Sequence, residues 1–382
     1  MKNSYELFWG AVVTLLPIFY RREWGSRLSM QVGLVACICV SILLFGGGIS
    51  KYIPKKSFVL ICILGLFNRG NIASFTFFIQ WVSVCSGLLL VSQMSEKIKN
   101  INCVYTMLAI ACIFHSLWVV IEWVGFSPYH WFFMKLEGTK VLTNHGYGYT
   151  SGVYTKPLTV GAFSHYNLTG AYIAMCLPVF FRRAFLPYIF LPIGAILLLG
   201  SALPMLTAAV GATIYIGCKL RVNLQKCIAS IISAICSLTI LCHIPATHKY
   251  FSWFKNNGRF PVWEDTITWL TGLDVLIGRG LGYFYDEFPR TFTRHGQVFQ
   301  QAHNEYLEIY IAFGAIGVIL FLWSLRPVFK AKDPVLIAGI LASLLNMVGH
   351  FTLHIAGTAL VAIIYYSQLF KEKEHGYDSN LT

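Results

Sequence analysis

Charged side chains are what this sequence lacks most. Asp, Glu, Lys and Arg make up 12% of its 382 residues, against about 25% in an average soluble domain. With 56% hydrophobic residues and a mean hydropathy of +0.63, that scarcity excludes a soluble enzyme with a single anchor, because no water-soluble fold of this size hides so much apolar surface. The fold class it implies is all-α, a polytopic integral membrane protein. Acidic residues are scarcer than basic ones, 16 against 29, for a formal net charge of +13. In a soluble chain such a balance would suggest nucleic acid; in a chain built for the lipid bilayer it divides between cytoplasmic anchoring and function on the far side, and no nucleic-acid partner is expected.

Other absences narrow the class. The 11 cysteines lie within or at the edge of apolar segments, where a thiol behaves as a small hydrophobe, and neither a disulfide framework nor zinc-ligand spacing is present. There is no repeat of fixed period and no low-complexity tract. The first apolar stretch is preceded by Glu6 and followed by Arg21-Arg22-Glu23 without a small-residue cleavage site, so it reads as a retained span.

What is present is about 12 apolar runs fit to cross a hydrocarbon core, near 5–20, 29–49, 57–67, 72–93, 101–125, 167–181, 184–200, 202–218, 227–245, 304–324, 335–349 and 351–369. They organise the chain into an N-terminal transmembrane bundle (1–125), a first outer loop (126–166), central transmembrane helices (167–245), a large outer loop with an amphipathic helix (246–303), C-terminal transmembrane helices (304–370) and a cytoplasmic tail (371–382). The two loops are too long to be simple connections and are the expected seats of function. With both on the outer face, more than half of the cations fall on the cytoplasmic side, in short loops and at the two termini, among them Lys55, Lys56, Arg182 and Arg183, as the positive-inside bias requires. Arg21, Arg22 and Arg27 contradict it, so either the first hairpin is drawn wrongly or it is a local exception. Cations in the long loops are largely exempt from that bias. They answer either to an anionic substrate or to pairing with Glu264, Asp265, Asp274, Asp286 and Glu287 of the second loop.

The strongest local pattern is Ala302-His303-Asn304-Glu305-Tyr306, running through Glu308 and Tyr310 to Gly314 and Gly317. It places His303 and Asn304 where the second loop becomes a span, with Gly314 and Gly317 inside that helix at a spacing that lets a neighbouring helix approach. Unpaired N–H groups and the positive helix end disfavour imidazolium there, and a neutral imidazole can accept a proton from a sugar hydroxyl. A plain capping role for both residues is the alternative. Upstream, Pro261 to Leu273 has Val262, Trp263, Thr266, Ile267, Trp269, Leu270 and Leu273 at helical spacing, an amphipathic helix with Arg259 at its N-terminal end. Guanidinium suits an anionic substrate such as a phosphate, because its planar donors bind two oxygens at once and its charge persists at any relevant pH. Arg279 sits between Gly278 and Gly280, whose missing side chains allow a ligand to approach the backbone; the strand-turn-helix context of a dinucleotide site is missing. His350 and His354, four apart, lack a third metal ligand and read as interfacial packing, so no metal is expected. His295 is placed to approach the site through its loop, His115 is structural, and Glu122 and Glu308 are candidate orienters of the catalytic group.

These segments resemble the O-antigen ligase and Wzy-type polymerase superfamily. His303, Asn304, Gly314 and Gly317 fit its signature of His, then Asn, Ser or Gln, nine residues, Gly, two residues, then Gly, Thr or Val. Gly258-Arg259 with Trp263 looks like its Gly-Arg-x-x-x-Trp element, Gly278 to Phe284 like its Gly-x-Gly-x-Gly-x-Phe element, and Gly161 to Asn167 like its Gly-x-Phe-x-x-x-Asn. Where family members carry an Arg just before the last of these, this chain has Lys156, and a Ser-Arg pair usual near Gly200 is absent. The resemblance implies a GT-C-like, metal-independent, cofactor-free glycosyltransferase of the bacterial inner membrane, working on the periplasmic face. It would move a glycan from a polyprenyl (undecaprenyl) pyrophosphate carrier to an acceptor hydroxyl with inversion. His303 would be the catalytic base, Arg259, Arg279 and Lys156 would bind the pyrophosphate, and Asn304, Gly314 and Gly317 would support the site. The acceptor is left open between lipid A core, a second carrier-linked glycan and a protein hydroxyl; the absence of a soluble domain after the last span favours the first two. From another class, a transporter would place ionisable groups at mid-membrane, yet 184–218 holds none before Lys219. A scaffold would leave His303 and Arg259 without a role.

Overall fold

The computed structural model describes residues 4–19, 27–45, 75–126, 159, 161–163, 165–225, 228–229, 259–291, 301–350 and 352–375. The expected span at 57–67, most of the one at 227–245, and Lys156 and His295 lie outside the described residues. Among the described residues all regular structure is helical. The helices are α1 (Ser4–Leu15), α2 (Arg27–Phe45), α3 (Phe75–Lys97), α4 (Ile101–Trp123), α5 (Tyr166–Cys176), α6 (Phe190–Leu199), α7 (Ala202–Lys219), α8 (Arg259–Trp269), α9 (Asp274–Ile277), α10 (Tyr283–Thr291), α11 (Glu305–Ser324), α12 (Pro334–Asn346) and α13 (Ala356–His375). Among the described residues three stretches, Ile101–Trp123, Ala202–Lys219 and Glu305–Lys330, are long and apolar enough to cross a membrane, and five shorter apolar helical stretches accompany them.

Local chemistry sets the helix ends. Asn100 accepts hydrogen bonds from the backbone N–H groups of Asn102 and Cys103 at the start of α4, and Asp333 does the same for Val335 before Pro334 opens α12. Gly200 closes α6 in the left-handed conformation, φ +64, which turns the chain at once into α7.

In the bundle α1 packs on α4, α4 on α6, α5 on α7, α7 on α12, and α13 on α3. Buried tyrosines join these helices through polar ends. The Tyr172 hydroxyl donates to the Val13 carbonyl at 2.8 Å and the Tyr365 hydroxyl to the Met175 carbonyl at 3.2 Å, so each large ring is buried without an orphaned O–H. Gly339 admits the Tyr365 ring, since a Cβ there would lie 2.5 Å from Cζ. Outward, Leu197, Phe190, Ile319 and Trp323 are exposed, an apolar surface suited to lipid.

Helix direction assigns the two ends of the bundle. At one end Tyr105, near the start of α4, donates to Asp333 at the start of α12, at 2.6 Å. At the other, Glu122 at the end of α4 accepts from the Gly161 N–H at 2.7 Å. The starts of α5, α7 and α11 and the end of α12 meet at this second end.

Two expectations are corrected in detail. The amphipathic helix begins at Arg259, before Pro261, which the first turn tolerates because its missing N–H has no partner there. In α11, Gly314 does not support an unbroken helix: it has φ +65 and ψ −167 and kinks it. The backbone that approaches Gly314 belongs to α9, where a Cβ would lie 2.2 Å from the carbonyl of Leu276, while Gly317 makes room for the Phe313 side chain of its own helix. Carbonyls freed near the kink are used, since Ile311 O accepts from Arg279 N at 2.7 Å and Ala312 O from Gly280 N at 3.0 Å.

Gly314→Ala therefore meets both a left-handed backbone and a backbone clash, and costs more than about 2 kcal/mol. Gly194→Ala in α6 meets open space and stabilises by about 0.5 kcal/mol. Thermal unfolding of the two variants in the same detergent checks the contrast, and equal melting temperatures contradict it.

Candidate functional site

Helix α8 puts Arg259 and Trp263 four residues apart, on one face. Each reaches a different loop. Arg259 NH1 donates to the Gly349 carbonyl at 2.8 Å, and Trp263 Nε1 donates to the Ala302 carbonyl at 2.7 Å. The other side of Ala302 is also held: its N–H donates to Glu308 Oε1 at 3.0 Å. His303 follows this clamped residue with φ +53, in a left-handed region that costs a non-glycine residue energy although His visits it more often than most. Asn304 is then the N-cap of α11, its Oδ1 accepting from the N–H groups of Tyr306 (3.0 Å) and Leu307 (3.2 Å).

The loop between α12 and α13 is stitched to the same helix start. Glu305 is buried, and its N–H donates to the Met347 carbonyl at 2.9 Å. Its Oε1 accepts from the Leu353 N–H at 2.6 Å, and its Oε2 lies 2.9 Å from His354 Nδ1. Glu308 Oε2 lies 3.2 Å from His354 Nε2. Both ring nitrogens of His354 are thus spent on carboxylates, and Glu308 holds the backbone ahead of His303.

His350 differs from His354, and packing alone does not describe it. Its side chain is 3% exposed, and the charged or chargeable groups acting on it are Arg259, His165 and His303. Its Nε2 is buried without a hydrogen-bond partner. The fourth member, His165, is the N-cap of α5, with Nδ1 accepting from the Asn167 N–H at 3.2 Å and its ring stacked on Tyr166, centroids 5.1 Å apart. Glu122, bonded to Gly161 N–H and to Trp118 Nε1 (3.0 Å), fixes the turn that leads into this cap. Gly161 has φ +72, and a Cβ there would lie 2.3 Å from Thr169, which explains the glycine. Asn167 accepts from the Ser201 hydroxyl, tying α5 to the start of α7. His115 lies apart, buried in α4 with Nε2 3.1 Å from the Thr14 carbonyl.

Four chain segments thus bring His165, Arg259, His303 and His350 together. Burial pushes the Arg259 guanidinium below its ordinary value, opposed by Tyr166. Burial pushes the His350 imidazole well below its ordinary value, and positive charge at Arg259, His165 and His303 adds to the shift. Arg279 is not among the groups acting on His350. Its Nε pairs with Asp274 Oδ2 at 2.8 Å, and its NH1 donates to the Tyr283 hydroxyl at 2.7 Å. Gly278, just before it, admits the backbone of α11, since a Cβ there would lie 2.5 Å from the Ala312 carbonyl carbon.

Beside the cluster runs an apolar cavity of about 470 Å³ between α3, α11 and α13. Its lining includes Val84, Leu88, Phe313 and Ile363, and at one end reaches Gln301, Glu305 and His354. Arg259 and His303 do not line it, but Gln301 and Glu305 flank the His303-Asn304 pair. Among the described residues no group of three or more His, Cys, Asp or Glu is arranged to hold a metal.

Sequence reasoning singled out Arg259, His303 and Asn304, and the structure brings them to one place. It read His350 as interfacial packing and gave His165 no role of its own. The signal for His165 was its position at the entry of α5 inside the Gly161 element; nothing in the local sequence marks His350.

Residues 187–322 match the family model described as O-Antigen ligase, Wzy_C. The match takes in Arg259, Arg279, His303, Asn304, Gly314 and Gly317, and over this segment the resemblance to the O-antigen ligase and Wzy superfamily is shown. No curated protein matches the chain. A membrane glycan-transferring activity is the coarse function that the family supports.

A buried, neutral His350 has a consequence for stability. Its folded pKa lies below the unfolded value of about 6.5, so the unfolded chain takes up the proton first, and stability falls as pH drops through and below about 6.5. His350→Gln removes this loss. The melting temperature of the variant should rise relative to wild type on going from pH 7.5 to pH 5.5, and a constant difference across that range contradicts the assignment.

Proposed function

Taking the O-antigen ligase family assignment of residues 187–322 as premise, we propose that the protein transfers a glycan from a polyprenyl pyrophosphate carrier to an acceptor hydroxyl, at the periplasmic side of the bacterial inner membrane. The observation that carries this reading is the convergence of Arg259 and His303, from separate chain segments, around the buried His350. The adjoining apolar cavity supports it, since a polyprenyl chain needs an apolar path beside the reacting end.

In the reaction the acceptor oxygen forms a bond to the anomeric carbon while the bond from that carbon to the pyrophosphate oxygen breaks. The electron pair leaves with the pyrophosphate, and the hydroxyl proton passes to His303. Attack opposite the leaving group inverts the anomeric configuration. Arg259 neutralises charge that grows on the leaving oxygen, and its partial burial strengthens that interaction by excluding water. Arg279 contributes only through donors that Asp274 and Tyr283 leave over; Lys156 is assigned to the pyrophosphate by resemblance alone. The left-handed backbone at His303, clamped by Trp263 and Glu308 through Ala302, holds the imidazole without help from substrate.

Incubating the purified full-length protein with a polyprenyl-pyrophosphate glycan, and either lipid A core or a second carrier-linked glycan, tests the reading. His303→Ala should lower the rate of transfer by about 10²-fold or more, and Arg259→Ala should lower it comparably. Undiminished transfer by His303→Ala overturns the base assignment, and solute flux without transfer overturns the enzyme reading. Which acceptor is consumed separates a ligase from a polymerase.

A further inference from the structure

We infer that His350 is a further substrate-contacting residue, donating a hydrogen bond from Nε2 to the pyrophosphate that Arg259 holds. The inference rests on the carrier reading above and deepens it. Three observations carry it. First, His350 is buried and its Nε2 has no partner, although buried polar atoms in folded proteins are nearly always paired. Nothing in the described fold bonds this nitrogen, which leaves it open to a ligand that enters the site.

Second, the peptide joining Gly349 to His350 links the two groups. Arg259 NH1 is bonded to the Gly349 carbonyl, so guanidinium and imidazole are held by adjacent residues of one turn. Among the described residues NH1 is the only nitrogen of Arg259 with a hydrogen-bond partner. Its remaining donors and the His350 nitrogen are therefore unspent on either side of the same peptide. A cation with free donors attracts an oxyanion, and an imidazole facing that anion must present N–H, not a lone pair.

Third, the surroundings disfavour the alternative in which His350 takes up a proton. Arg259 and two further histidines face it, and burial holds it neutral. A neutral imidazole kept from protonation is a poor base and a good donor to developing negative charge. This divides the labour between the two histidines: His303 receives the acceptor proton, and His350 stays neutral against the leaving group.

The test uses the full-length protein in lipid nanodiscs, with undecaprenyl pyrophosphate as ligand and undecaprenol, which lacks the phosphates, as control. Wild type, His350→Leu, His350→Gln and Arg259→Ala are compared by direct binding and by melting temperature. His350→Leu removes an unpartnered buried nitrogen, so it should melt no lower than wild type and yet bind the pyrophosphate about 10- to 100-fold more weakly. Its binding of the alcohol should be unchanged. His350→Gln restores an N–H donor and should bind within a few-fold of wild type. Wild-type affinity in His350→Leu overturns the inference and leaves the carrier reading standing. So does a His350→Gln variant that binds normally but transfers as poorly as His303→Ala, because that assigns His350 to the proton. If wild type does not distinguish the pyrophosphate from the alcohol, the carrier reading itself falls and the inference with it.

Discussion

The site depends on a single helical turn. Arg259 and Trp263 project from one face of α8, and each donates a short hydrogen bond to a backbone carbonyl in a different loop, one ahead of α11 and one after α12. A helix is stiff, so the spacing between these donors fixes the spacing between Ala302 and Gly349, and the residues that follow them are His303 and His350. The helix needs its own anchorage to do this. It has it in Val262, Thr266 and Leu270, which are buried. The same arrangement gives Trp263 a role that its size alone would not suggest: the indole N–H sets the loop.

Helix α11 supplies the opposing surface and is built to be interrupted. A left-handed Gly314 bends the helix and lets α9 approach backbone to backbone, and carbonyls of Ile311 and Ala312 are taken up by Arg279 and Gly280 N–H groups. Without that mutual contact the loop carrying α8 to α10 would rest on side chains only. Gly278 therefore serves packing against α11 and Gly280 donates to it, while Arg279 between them is turned toward Asp274 and Tyr283. Around the first turn of α11, Glu305 and Glu308 do not face the reaction. They join His354 and the backbone of the neighbouring loop, which ties the start of α11 to the segment before α13.

Much of this was legible in the sequence, for identifiable reasons. A membrane bundle follows from composition, because apolar runs of spanning length have few other uses. Arg259 and Trp263 at a four-residue spacing already share a helix face, and Asn304 before an apolar run already reads as a cap. What was hidden depends on contacts between residues far apart in the chain. That Gly314 meets α9 instead of a neighbouring span rests on a glycine some 36 residues earlier in sequence. His350 and His354 look equivalent at four residues apart, yet one is consumed by two carboxylates and the other is buried with a nitrogen to spare. Only the fold separates them. Glu308, by contrast, was a candidate orienter from its place on the first turn, and it acts on His303 through the Ala302 N–H and not by touching the ring's neighbours in sequence.

The central claim is that one pyrophosphate-binding pocket is formed where Arg259, His303 and His350 meet. The most direct measurement is an experimental structure of the full-length protein with bound undecaprenyl pyrophosphate. The account predicts phosphate density within hydrogen-bond distance of both the Arg259 guanidinium and His350 Nε2, with the first isoprene units leading into the cavity beside α11. Phosphate density held at Arg279 and away from His350 would contradict it.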